Sequence, residues 1–416
     1  RAAGWGGLIV LSAAILCTAF FLLYLRCGDD PFVAGIVTLG GAWATAPLWG
    51  ARPQVLSLLL TSLWLLLLER SERKSGLLLW TLPLSLLWVN LHGEFALGLA
   101  LLALFLAGEF LERLLGAFFA DAASSRLRIL GLALALDLLL VPLNPNGLRM
   151  YRYPIETLRS PAMQNYIAEW ASPNFHRPEY WPFLLLLLAT LAALAGVARR
   201  VRPRDLLLLV VGTYAALCSI RMIPLFVLIA VPILSRSLEA WTASGRGARP
   251  NRHNPGLRNP ALINAAIILA MGAFTGIRIA HVIRLQPQAE ARQFPAGAVA
   301  FLQSHPPAGR LFNDYDWGGY LIWKLYPSTR VFIDGRADLY GDRFLEQFSD
   351  AYQLKNSWYQ ILQEWGIETA IIPPDSALAA GLRLAPGWKV SYEDRQAIVF
   401  SLQPHAVVTG SGPDPK

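Results

Sequence analysis

Trp88-Val-Asn-Leu-His-Gly-Glu-Phe-Ala-Leu-Gly-Leu-Ala-Leu-Leu-Ala-Leu-Phe-Leu-Ala-Gly108 is the stretch on which the fold turns. A polar knot, Asn90-Leu91-His92-Gly93-Glu94, runs straight into an apolar segment of the kind that crosses about 30 Å of hydrocarbon. The same alternation recurs outward from it. Apolar runs extend from Gly4 to Ile283, broken by further knots at Arg52-Pro53-Gln54, Asn144-Pro145-Asn146-Gly147 and Ser219-Ile220-Arg221. Of 416 residues, 55% are hydrophobic and 15% charged, against roughly 25% charged in a soluble domain. The mean hydropathy is +0.41. These features define a polytopic α-helical membrane protein.

The net charge of +8 does not require nucleic acid. Much of it sits in short arginine clusters in loops, which the positive-inside tendency explains. Cys17, Cys27 and Cys218 lie in or beside apolar runs, and the C-terminal region has no cysteine. A disulfide framework is excluded there, and no cysteine spacing suits a metal. Residue 1 is Arg and abuts the first apolar run, so a preceding N-terminal part is expected.

About ten crossings are predicted, at 4–25, 31–50, 54–69, 76–91, 94–112, 127–143, 181–198, 205–220, 222–237 and 260–283. The loops richest in arginine are 69–75, 113–128, 199–204 and 236–258, the last with five. With ten spans all four share one side, which is therefore cytoplasmic. The polar knots and the region after Ile283 then lie on the opposite, extracytoplasmic face of the inner (plasma) membrane. The predicted division is a helical membrane domain over 1–284, an α/β domain over 285–403 and a flexible tail over 404–416.

On the extracytoplasmic face, His92 and Glu94 pair an imidazole with a carboxylate two residues away, which suits acid–base work or metal binding. The competing reading is a polar turn capped by Asn90 and Glu94. Arg52 and Arg221 occupy minimal turns beside Pro53 and Pro224, placed to bind a lipid-linked phosphate or to snorkel to headgroups. The loop 144–180 carries Asn144, Arg149, Arg152, Glu169 and Trp170 among aromatics, an interfacial pattern. Asp137 falls about 10 Å inside the membrane from Asn144, and an intramembrane carboxylate is a functional candidate.

After Phe294 the pattern turns to α/β. Helix is expected over 295–303 and about 343–365, strands at Arg310–Asn313, Arg330–Asp334 and Thr369–Pro373, and a closing β pair near 387–402. Such alternation gives a small parallel or mixed sheet. Asp316 and Trp317 follow the first strand, and Asp334, Arg336 and Asp338 follow the second, at strand ends where open α/β sheets bind ligands. Acidic and aromatic groups together suit a sugar; Asp-Gly turns alone are the plainer alternative. No GxGxxG, Walker A, HExxH, CxxC or GxSxG motif is present.

Arg52-Pro-Gln54, Trp88-Val-Asn-Leu-His-Gly93, Leu143-Asn-Pro-Asn-Gly147 and Asn313-Asp-Tyr-Asp-Trp-Gly-Gly-Tyr320 leading to Phe332-Ile-Asp-Gly-Arg336 carry a resemblance to bacterial GT-C type membrane glycosyltransferases. Tyr315-Asp316-Trp317-Gly318 is similar, distantly, to an aromatic-Asp-aromatic-Gly signature of oligosaccharyltransferase catalytic subunits. The resemblance implies transfer of a sugar from a polyprenyl-phosphate donor to a glycan, lipid or protein acceptor. Donor-phosphate contacts would fall to Arg52, His92, Arg152 and Arg221, and acceptor contacts to Asp316 and Trp317, with a divalent cation as a candidate helper. Such enzymes keep their catalytic Asp or Glu in the first extracytoplasmic loop, expected here before Arg1; Glu94 is the best substitute base within the chain. The rival readings are a flippase of a lipid-linked glycan and a non-catalytic assembly protein with a glycan-binding α/β domain.

Overall fold

The computed structural model describes residues 4–116, 123–197, 201–245, 260–355 and 357–403. Arg199, Arg200, Arg246, Arg249, Arg252, Arg258 and the tail 404–416 lie outside them, so the expectations placed there have no structural counterpart. The chain divides into two compact units, 1–160 with 167–279, and 161–166 with 280–416.

The helices run α1 (Gly4–Tyr24), α2 (Pro31–Thr45), α3 (Gln54–Arg70), α4 (Thr81–Leu91), α5 (Phe95–Leu114), α6 (Ala123–Leu140), α7 (Tyr153–Arg159), α8 (Pro161–Tyr166), α9 (Trp181–Val197), α10 (Pro203–Cys218), α11 (Ile223–Gly245) and α12 (Pro260–Gln293). The division between units falls inside α12, and α8 belongs to the second unit, where it packs on a later helix. Among the described residues, five segments are long and apolar enough to cross a membrane: Gly6–Tyr24, Pro31–Leu48, Phe95–Leu114, Pro178–Gly196 and Ile220–Thr242. The expected ten are not reached on length and composition. The helix α3 has 17 residues and α10 has 16, while α6 carries Arg126, Arg128 and Asp137 within its 18.

The first unit is apolar outside as well as inside. Along α2, Phe32, Ile36, Leu39 and Trp43 form a helical stripe that is 63–81% exposed, a face suited to lipid rather than water. The opposite face of α2 packs on α11, where a Cβ on Gly41 would come within 2.8 Å of Val227 and Val231. Small residues allow such close approach between membrane helices. Nearly every residue from Ile223 to Leu234 is buried, so α11 is the central helix. Pro232 within it has no N–H and leaves the Leu228 carbonyl without its helical donor. Arg26 fills that vacancy, donating to Leu228 O at 2.7 Å while pairing with Glu69.

At the ends of α3, α5 and α10 the charges neutralise one another. Arg202 pairs with Glu72 and, through two hydrogen bonds, with Glu112. Arg204, almost fully buried, contacts Glu72, Glu109 and Asp205 and lies over the Phe105 ring. Arg126 at the start of α6 joins through Glu109 at 2.8 Å. Several arginines that mark the basic loops are thus held in an ionic cluster tying four helix ends.

In the second unit, α13 (Ala296–Ser304), β1 (Arg310–Asn313), α14 (Gly318–Leu325), α15 (Ala337–Tyr340), α16 (Asp342–Tyr352), α17 (Trp358–Glu364), β2 (Ile367–Ile372), α18 (Ala377–Leu384), β3 (Trp388–Glu393) and β4 (Ile398–Leu402) follow in order. The sheet is mixed, in order β1-β2-β4-β3, with β1 and β2 parallel and the remaining pairs antiparallel. Side chains alternate across it. Phe312, Ala370, Ile372, Ile398 and Phe400 join the core that includes α17 and α18, while Leu311, Ile371 and Val399 pack with α13 and α14.

The strand expected at Arg330–Asp334 does not form. Its backbone is held instead by the buried Asn313 side chain, whose Oδ1 accepts from Phe332 N (2.8 Å) and Ile333 N (3.3 Å) while Nδ2 donates to Ile333 O (2.8 Å). One amide side chain does the work of a ladder. Gly318 makes this approach possible, since a Cβ there would sit 2.1 Å from Ile333 O.

Candidate functional site

Three of the four knots converge. A cleft in the first unit, holding about 760 Å³ of unfilled space including its open mouth, is lined by Arg52, Gln54 and Ser57, by Glu94, by Glu169 and by Arg221. Its other walls are apolar, among them Leu16, Leu48, Leu58, Leu97, Leu225 and Leu228. Chain turns bring the groups together: Arg52 lies just before α3, Glu94 just before α5, and Arg221 just before α11. Glu169 comes from the long loop, which is docked by Ile220 N donating to Ala171 O (2.9 Å) and Ser219 Oγ donating to Glu169 O (3.0 Å).

Each cation faces a carboxylate. Arg221 donates from Nε to Glu94 Oε1 at 2.7 Å and lies 5.7 Å from the Trp170 ring centre. Arg52 pairs with Glu169. His92 Nδ1 sits between Ser57 Oγ (2.8 Å) and Glu94 Oε2 (3.5 Å). The indole of Trp88, which can only donate, gives its hydrogen to Ser57 Oγ at 3.0 Å. Gly93 lets the Tyr153 ring close over the turn, since a Cβ would lie 2.4 Å from it. Gln54 also lines the cleft, and its Oε1 is buried with no hydrogen-bond partner among the described residues.

The expectation of His92 and Glu94 as acid–base groups therefore meets a constraint. A carboxylate bound to a guanidinium is a weak base until that cation is drawn away. Gln54 and Trp88 stand in the quoted motifs without a role of their own, and Ser57 stands in none of them. Ser57 lies one helical turn after Gln54 and was read as part of an apolar run.

The other expected contacts stand apart from the cleft. Asn90 donates to Leu86 O and to Leu143 O (3.0 Å), bridging α4 to the end of α6. Asn144 closes its own turn, accepting from Asn146 N at 2.7 Å. Arg149 and Arg152 are exposed, and neither lines the cleft.

In the second unit, Trp317 does not present its ring to a ligand. It is 7% exposed and packed among Leu311, Tyr320, Leu321 and Leu325, because the turn after β1 folds its indole into the core. Asp316 is exposed, its N–H bound to Asp314 Oδ1 at 2.9 Å. Asp334 is a structural anchor, accepting from Arg336 N (3.0 Å), Nε (2.9 Å) and Nη2 (2.6 Å) and from the Tyr340 hydroxyl (2.9 Å). Burial alone would raise its carboxyl, but these donors outweigh it and hold the group below the usual carboxylate range. Burial and the Asp334 charge push Tyr340 up to about 12. Asp338 is exposed in the short helix α15.

Among the described residues, no cluster of three or more His, Cys, Asp or Glu side chains is placed to hold a metal. The two cleft carboxylates are already engaged by arginines, so this donor set does not fit a divalent cation. No protein-family model matches the chain, and no curated protein sequence matches it. The fold and the cleft define a class only: a largely α-helical protein with five helices, among the described residues, long and apolar enough to cross a membrane, and a small α/β unit.

Proposed function

We propose that the chain is an inner-membrane glycosyltransferase-like protein whose cleft receives the phosphate end of a polyprenyl-phosphate-linked sugar. The observation that carries this reading is the composition of the cleft. Two arginines and two glutamates meet at one place, beside an apolar wall that suits a lipid tail. With ten crossings, this cleft and the α/β unit would both lie on the extracytoplasmic face.

The pairing gives the site an order of events. An arriving phosphate competes for Arg221 and Arg52, which bind it through charge-assisted hydrogen bonds. Glu94 and Glu169 are released as that happens. A freed carboxylate takes the proton of an acceptor hydroxyl, the hydroxyl oxygen attacks the anomeric carbon, and the carbon–oxygen bond to phosphate breaks. The charge left on the departing phosphate is met by the arginines. Ser57 and Trp88 hold His92 beside Glu94 throughout.

The test is turnover in proteoliposomes with a radiolabelled polyprenyl-phosphate sugar and extracted envelope acceptors. Sugar transfer that falls at least 100-fold in Glu94→Gln supports the reading. Movement of the intact labelled lipid across the bilayer without transfer replaces it with a flippase, and neither activity leaves a binding protein.

A further inference from the structure

Asp137 lies outside the cleft and takes no part in the chemistry above. It is fully buried in the first unit, and among the described residues neither carboxylate oxygen meets hydrogen-bond geometry with a partner. The helix that carries it, α6, packs on α4, on α5 and on the short turn Ser75–Trp80 that leads into α4. Neither that turn nor α4 contains an acidic or basic residue. On α5, the charged residues Glu109, Glu112 and Arg113 lie toward the helix end that pairs with Arg126, about 16 Å along α6 from Asp137. Tyr151 reaches the same region but donates to the backbone, at Leu138 O.

The side chains that approach it are the hydroxyls of Thr81 and Ser85 on α4, both buried. The Thr81 hydroxyl hydrogen is already committed, donated to Leu78 O at 2.7 Å. What Thr81 turns toward Asp137 is therefore lone-pair density. An ionised carboxylate in that setting would be buried with no counter-ion beside it and only the Ser85 hydroxyl left to donate to it, at a cost of several kcal/mol. A carboxylic acid removes the charge and supplies the one hydrogen that the Thr81 oxygen can accept.

We propose that Asp137 is a proton-binding site inside the helical unit, occupied as the neutral acid, with its O–H directed to Thr81 Oγ1. The proton then acts as a ligand joining α6 to α4, and its loss leaves two acceptors facing each other between the helices. The proposal does not depend on what the cleft binds.

Infrared spectra of the purified full chain at neutral pH test it. The expected result is a protonated-carboxyl C=O band in the wild type that is absent from Asp137→Asn and displaced in Thr81→Val, which keeps the acid but removes its acceptor. The Asn variant, neutral and able to donate to Thr81, is expected to unfold at a temperature no lower than the wild type. Identical carboxyl bands in wild type and Asp137→Asn would overturn the proposal. So would stabilisation by NaCl over choline chloride that disappears in Asp137→Asn, since that result makes the site a sodium site with an ionised aspartate.

Discussion

Arg221 and Arg52 look alike in the sequence, each in a tight turn next to a proline, but their surroundings differ. Arg221 is 22% exposed at the side chain and held between Glu94 and the Trp170 ring; Arg52 is 63% exposed. Hydrogen bonds to charged groups contribute about 1.5–3 kcal/mol each, and the more enclosed one is expected to carry more of a bound phosphate. Trp317 is the instructive failure at this scale. An indole next to an aspartate reads as a sugar platform, and only the packing of α13 and α14 against the sheet shows it to be core. Trp317→Ala is expected to destabilise the second unit by about 3–5 kcal/mol, visible as a lowered unfolding midpoint; unchanged stability with lost acceptor binding would reverse that assignment. Ser57 was invisible for the opposite reason, because a serine in an apolar helix gives no local signal of the histidine that another turn brings to it.

At the scale of elements, the sequence's periodicity was a good guide wherever a segment pairs with backbone, as in β1, β2 and the β3–β4 hairpin. It failed at 330–334, where alternation is present but the partner is the Asn313 side chain, a tertiary contact that no window of sequence contains. The Asp334 anchor beside it has a pH signature. Its carboxyl is held below the ordinary value, so its contribution is complete above about pH 4, the unfolded range, and is lost as pH falls through the depressed folded value. Acid unfolding of the second unit is expected to flatten in Asp334→Asn, as followed by tryptophan fluorescence; an unaltered acid transition would contradict this. The ionic cluster at the ends of α3, α5 and α10 is a further test. Removing one member of a buried pair costs about 3–5 kcal/mol, so Arg204→Met is expected to lower thermal stability in detergent markedly, and Arg236→Met, with its more exposed side chain, much less.

For the whole molecule, residue patterns within single segments were enough for the apolar helices and for a small α/β unit with a parallel or mixed sheet, and the structure shows the sheet to be mixed. The number of crossings did not follow, because short apolar helices joined by minimal turns have no length that marks them as spans. The expected topology places 285–403 outside the cytoplasm. Glu368→Cys, in a variant whose Cys17, Cys27 and Cys218 are replaced by alanine, is expected to react with a membrane-impermeant maleimide added to right-side-out cells; reaction only after lysis would reverse the orientation. From the sequence, Arg52, His92–Glu94 and Arg221 shared only an expected side of the membrane; the meeting of Arg52, Glu94 and Arg221 in one cleft comes from the helix packing. The central claim, that this cleft binds a lipid-linked phosphate, is tested most directly by titrating polyprenyl phosphate into the full chain in nanodiscs and into Arg221→Ala. The account predicts saturable binding to the wild type that weakens at least tenfold in the variant, about 1.4 kcal/mol or more. Equal affinity in the two proteins, or no binding to either, would contradict it.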